Sequence, residues 1–237
     1  MTIPDPVAAA RDVVRAHHPH ALAAFLGGSA PTERRTATSD LDIVVVLCGD
    51  AAPSRHSFRH AGWPVELFAH TERTWRAFIE RETAARRSPL LWMCAAGVLL
   101  LDRDGVGEHL AREARTRAAA GPAPVTAAEL DDRRYALTDL LDDLEGCAAD
   151  TERLFIVSEL ARRTGELVLL RHGAWLGGGK WLARRLEGVD PDFPERLQAA
   201  SRAAMDGGSG PLVALVDEAL GPVGGRLWAG YHRQGTP

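Results

Sequence analysis

At 237 residues the chain is long enough for one large domain or two modest ones, each burying its own core. Ordinary apolar content, sparse aromatics and a quarter of charged residues describe a globular chain and exclude a disordered one. A formal net charge of −4 excludes the basic footprint of a dedicated nucleic-acid binder, and no apolar run reaches membrane-spanning length.

The opening MTIPDPVAAARDVV lacks a cationic stretch followed by an apolar core, so no signal peptide is expected and the cytoplasm is the expected location. Asp5-Pro6 offers a carboxylate N-cap and a proline at the first helical position, predicting a helix to about His18, where Pro19 stops it. Ala21–Leu26 reads as a buried strand ending in the turn Gly27-Gly28-Ser29, and residues 30–39 as a polar loop. Leu41–Cys48, dense in β-branched residues, predicts a central strand. Arg55–His60 and Val65–Phe68 flank Ala61-Gly62-Trp63-Pro64, the pattern of a hairpin. Thr71 then caps a helix through about Arg87. Ser88–Leu101 carries two signals, a helix start at Ser88-Pro89 and a strand at Val98–Leu101. Residues 105–119 resume a helix.

Gly121-Pro122-Ala123-Pro124 is the clearest linker. Beyond it no strand is predicted. Leu137, Leu140, Leu141 and Leu144 share one helical face, as do Leu160, Leu167 and Leu170 on the next helix. The expected fold class is α+β: a mixed sheet with flanking helices over residues 1–121, then an all-α bundle over 125–237. The three cysteines, Cys48, Cys94 and Cys147, show no metal-ligand spacing and are read as reduced, structural thiols. His17, His18 and His20 are interrupted by Pro19 and have no partner ligands, so no metal site is expected there.

Chemistry concentrates where the first turn meets the central strand. Gly27-Gly28-Ser29 is followed, after ten residues, by Asp40-Leu41-Asp42-Ile43-Val44-Val45-Val46. Side chains alternate along a strand, so Asp40 and Asp42 point the same way. Two adjacent carboxylates repel each other unless a cation joins them, and magnesium takes hard oxygen ligands together with substrate phosphates. The glycines let backbone N–H groups approach phosphate oxygens, and Ser29 adds a hydroxyl. Glu66 lies on the strand face opposite Val65 and Leu67, either as an exposed strand glutamate or as a third carboxylate for the pair.

The turn and the Asp-x-Asp strand resemble the nucleotidyltransferase superfamily typified by DNA polymerase β. Gly177-Gly178-Gly179-Lys180-Trp181, with Arg184 one helical turn beyond Lys180, resembles a segment in the helical domain of aminoglycoside-nucleotidyltransferase-like proteins such as the kanamycin enzyme. It is not a Walker A loop, because Ala174 stands at the first glycine position and Trp181 where Ser or Thr would hold magnesium. The chain departs from many members by having Arg34-Arg35-Thr36 where a further loop glycine is common.

The resemblance implies a nucleoside triphosphate donor, with AMP the expected group, transferred to a hydroxyl as pyrophosphate leaves. Two magnesium ions would be held by Asp40 and Asp42, with Glu66 as a further ligand or as the base, and Glu152 in reserve for the base. Gly27, Gly28, Ser29, Ser39, Lys180 and Arg184 would bind the nucleotide. The acceptor implied is a small hydroxylated molecule of aminoglycoside type, giving antibiotic resistance or a biosynthetic modification. Between Glu129 and Glu159 the sequence has ten acidic and three basic residues. Glu152, Glu159 and Glu166 recur every seven, a stripe suited to a cationic acceptor or simply to solvent. Antitoxin-type modification of a partner protein and nucleotide sensing without turnover are the alternatives. Lys180 is the sole lysine among 28 basic side chains, the other 27 being arginine.

Overall fold

The computed structural model describes residues 4–234. The fold is α+β, a five-stranded mixed sheet with flanking helices followed by a segment that is helical throughout its described elements. The chain divides into two compact units between Pro122 and Ala123.

In the first unit, α1 (Pro6–His17) begins with the Asp5 carboxylate accepting the Ala8 N–H at 2.9 Å. Strands β1 (Ala23–Gly27), β2 (Leu41–Leu47), β3 (Ser54–His60), β4 (Trp63–Thr71) and β5 (Val98–Asp102) form a sheet ordered β3-β4-β2-β1-β5. Only β2 and β4 run parallel; β1 is antiparallel to β2 and β5, and β3 to β4. One sheet face, with Leu41, Ile43, Val45, Val65 and Leu67, is buried under Ala9, Ala10, Val13 and Val14 of α1. The other face meets α2 (Glu72–Ala84), α3 (Pro89–Ala95) and α4 (Val106–Ala120). Strand β2 is third in a five-strand sheet and covered on both faces, which is why its sequence after Asp42 is an unbroken apolar run.

The hairpin turn is tighter than the sequence suggests. Ala61 and Gly62 both take positive φ, the two-residue geometry matching strand twist, so Trp63 and Pro64 fall inside β4. The helix capped by Thr71 ends at Ala84 rather than near Arg87. Arg86 adopts a left-handed φ of 58°, and Ser88 precedes a proline, which together turn the chain out of the helix. Both signals in Ser88–Leu101 are realised, as α3 and then β5.

The second unit contains α5 (Ala127–Gly146), α6 (Asp150–Arg171), α7 (Lys180–Glu187), α8 (Phe193–Met205) and α9 (Gly210–Leu220). Thr126 and Glu129 close a reciprocal capping box at the start of α5. Leu137, Leu141, Leu144, Leu160, Leu167 and Leu170 are all buried in one core, and Leu140 packs at its margin. Each such side chain contributes roughly 1.5–3 kcal/mol by leaving water.

Along α6, two members of the acidic stripe are already partnered. Arg162 donates to Glu159 at 2.7 and 2.9 Å and to the buried Glu166 at 2.8 Å, and Arg163 donates to Glu159 at 2.6 Å. Arg133 reaches Glu166 from α5 at 3.4 Å. The hydrogen bond from Arg162 holds the Glu159 carboxyl at about 2, outweighing the opposing effect of burial with the help of the hydrogen bond from Arg163 and the charges of both arginines. Because the folded value is depressed, the stabilisation is complete above the ordinary carboxylate range and is lost as pH falls from about 4.5 towards 2. The pair is partly exposed, so solvent reduces its worth to about 1 kcal/mol. Glu159→Gln should therefore lower stability to denaturant by about that much at pH 7. The gap from wild type should narrow as pH falls below about 4.5 and close only at about pH 2 and below, as followed by urea titrations across pH.

Candidate functional site

The register of the sheet builds the site. Gly27 pairs with Asp42, Asp42 with Glu66, and Glu66 with Ser57, so one row crosses β1, β2, β4 and β3. Adjacent strands lie about 4.8 Å apart, which puts the Asp42 and Glu66 carboxyl groups side by side on one face. Asp40, one step before β2, joins them. One carboxylate oxygen from each of Asp40, Asp42 and Glu66 lies within 4.8 Å of the other two, and all three residues are half-buried. At about 5 Å two carboxylates repel by roughly 3 kcal/mol at an effective dielectric of about 20, and by less than about 1 kcal/mol in water. Positive charge beside such a cluster relieves that repulsion.

Gly28 is fixed by the same crowding. It sits at φ +70°, and a Cβ there would overlap the Asp42 carboxylate. Gly27 is constrained from elsewhere, since a Cβ would come within 2.6 Å of Met93 on α3. The turn lies against the Asp42 carboxylate because Gly28 carries no side chain. Behind it, the buried Ser29 and Ser39 hydroxyls meet at 2.9 Å and close the loop between them. Ser39 Oγ also accepts the Thr36 N–H at 2.9 Å. A hydroxyl has one proton and two lone pairs, so Ser39 can accept from Thr36 and donate to Ser29, which leaves the Ser29 proton for a further acceptor.

Three hard carboxylate oxygens converging beside a side-chain-free turn fit a magnesium ion, which favours oxygen ligands and shares them with phosphates. No other group of three or more such ligands converges among the described residues. A hollow lined by Leu47, Cys48, Thr71, Arg73 and Arg76 lies at the opposite end of β2, about 20 Å away along seven residues of strand. Its arginines are paired with Asp50, Glu72 and Glu113.

Sequence reasoning missed Arg55. From β3 its guanidinium donates to Glu66 Oε1 at 2.5 Å and lies 5.2 Å from the centre of the Phe68 ring. The hydrogen bond to Glu66 and then the charge of Glu66 raise the Arg55 guanidinium above its ordinary value; burial opposes them, and the charge of Asp42 adds a lesser contribution. The hairpin register pairs Arg55 with Phe68, two residues from Glu66 on the same face. That register was the available signal.

The remaining candidates belong to the second unit. Lys180 opens α7, exposed, after a turn in which Gly179 has φ +53° and a Cβ on Gly177 would meet the Trp181 backbone at 2.5 Å. Arg184 stacks over the Trp181 ring at 4.8 Å. Glu152 is exposed near the start of α6.

No protein-family profile and no curated protein matches the chain. Among solved structures it is similar to a nucleotidyltransferase-like protein from Exiguobacterium sibiricum, at 13% identity, with 92% of this chain and 79% of that one covered and a TM-score of 0.40. The chemistry is accordingly read from the carboxylates and the turn themselves.

Gly28→Ala should force Asp42 out of its place while the apolar body of β2 stays folded. Manganese affinity, measured by calorimetry on the full chain, should fall at least tenfold with far-ultraviolet dichroism unchanged. Unaltered affinity would show that the turn does not shape the cluster.

Proposed function

We infer that the chain is a nucleotidyltransferase moving a nucleoside monophosphate, AMP by preference, from a nucleoside triphosphate to the hydroxyl of a small acceptor. The observation that carries this reading is the convergence of Asp40, Asp42 and Glu66 beside the Gly27-Gly28-Ser29 turn. Asp40, Asp42 and Glu66 would hold magnesium, which when bound neutralises phosphate charge and makes an acceptor hydroxyl easier to deprotonate.

The chain's own groups are assigned the rest. Gly27 and Gly28 bring backbone close enough for amide contacts to a phosphate, and the Ser29 proton adds a donor that Ser39 holds in position. Lys180 and Arg184 are assigned to the triphosphate, Lys180 as a compact charge and Arg184 from its place on Trp181. Glu66 takes the acceptor proton if it is not wholly committed as a ligand. An aminoglycoside-like acceptor is proposed for its hydroxyls rather than its charge, because Glu159 and Glu166 are already neutralised by arginine. With that acceptor class we propose a resistance or biosynthetic role, and the cytoplasm as its place.

Incubation with each nucleoside triphosphate, magnesium and a panel of hydroxylated amines should give a nucleoside-monophosphate adduct by mass spectrometry, with stoichiometric pyrophosphate. Asp42→Asn should reduce turnover on the order of a hundredfold or more, the cost of losing a strong electrostatic stabiliser. Near-wild-type turnover in that variant would sink the reading. Nucleotide binding without pyrophosphate would identify a sensor instead.

An amine-reactive reagent can modify only Lys180 and the amino terminus, since the chain has one lysine. Nucleotide with magnesium should protect Lys180 from labelling while the terminus still reacts. Equal labelling in an enzyme that stays active would make Lys180 a bystander.

A further inference from the structure

Arg55 occupies a position with few structural reasons to hold it. It stands on β3, which ends the sheet and is exposed along most of its length, and its own side chain is 60% exposed. Its register partner across the hairpin is Phe68, yet the guanidinium leans along the strand to bind Glu66, whose side chain is 27% exposed. The Phe68 ring lies beneath the guanidinium, and a side chain this exposed has little packing to dictate its reach. The electrostatics of the row dictate it. Glu66 shares the space of two further carboxylates, and Arg55 also feels Asp42.

The geometry points to Arg55 as a resident counter-ion that holds the carboxylate cluster together when no metal is bound and must yield Glu66 when a divalent cation takes all three carboxylates. This rests on the metal-binding reading of Asp40, Asp42 and Glu66 given above. The exposed side chain permits the exchange, because swinging towards solvent gives up one ion pair and one ring contact while the buried face of the sheet stays intact. Arg55 is thus a positioning residue that sets how strongly the site takes metal and keeps Glu66 in place before it does.

The test is manganese binding to the full chain in the absence of nucleotide, by calorimetry, for wild type, Arg55→Gln, Arg55→Lys and Asp42→Asn. Removing the competing charge should tighten manganese binding roughly three- to tenfold in Arg55→Gln. Arg55→Lys keeps the charge and should stay near wild type. The thermal midpoint should move in the same sense: Arg55→Gln melts lower than wild type in a chelator, and manganese raises its midpoint by more. Equal or weaker manganese binding in Arg55→Gln, with binding lost in Asp42→Asn, would overturn the counter-ion role and leave the metal site standing. Manganese binding by none of the four proteins would overturn both. An Arg55→Gln chain that gains binding which wild type lacks would support the counter-ion role in its strongest form.

Discussion

The parallel pairing of β2 with β4 is the constraint on which the site depends. Parallel neighbours need a crossover, and here the chain makes it by running out to β3 at the sheet edge and returning through a two-residue hairpin. That path brings Glu66 level with Asp42, a register in which two carboxylates must coexist about 5 Å apart. The apolar body of β2, covered on both faces, prevents the strand from slipping to relieve the repulsion. A one-residue shift would turn Ile43 and Val45 out of the core under α1. Folding energy from the hydrophobic rows thus holds an electrostatically unfavourable row in place, and positive charge completes it.

The two glycine turns illustrate different reasons for a residue without a side chain. At Gly28 the obstacle is the Asp42 carboxylate, so the glycine is tied to the chemistry of the row. At Gly177 the obstacle is the backbone of Trp181, so the glycine lets the chain double back tightly before α7. Gly179 then supplies a positive φ that other residues avoid, and the helix begins at Lys180 without a side-chain cap.

Much of this was legible in the sequence because local rules were enough. Period-two alternation placed Asp42 and Glu66 opposite their apolar neighbours, and Asp5-Pro6 and Thr71 marked helix starts that are realised with the expected hydrogen bonds. The hidden part depends on pairing across the chain. Arg55 could be linked to Glu66 only by drawing the hairpin register, which the turn expected at Ala61–Pro64 left too long. The acidic stripe looked uncompensated because the count of charges stopped at Glu159, just before Arg162 and Arg163, which return to pair with it. The overlong helix after Thr71 has a similar origin, since nothing in the identity of Arg86 announces a left-handed backbone.

The position of β3 has a consequence for how the molecule meets its own copies. A terminal strand offers unpaired backbone N–H and C=O groups to any extended segment nearby, and natural sheets discourage such contacts with charge. Ser54, Arg55, His56, Ser57, Arg59 and His60 leave this border with one apolar side chain, Phe58, and with arginines that would face like charge on an approaching identical strand. The polar border therefore discourages sheet-to-sheet growth. The arginine that pairs with Glu66 thus also supplies part of the charge that discourages strand pairing at this edge.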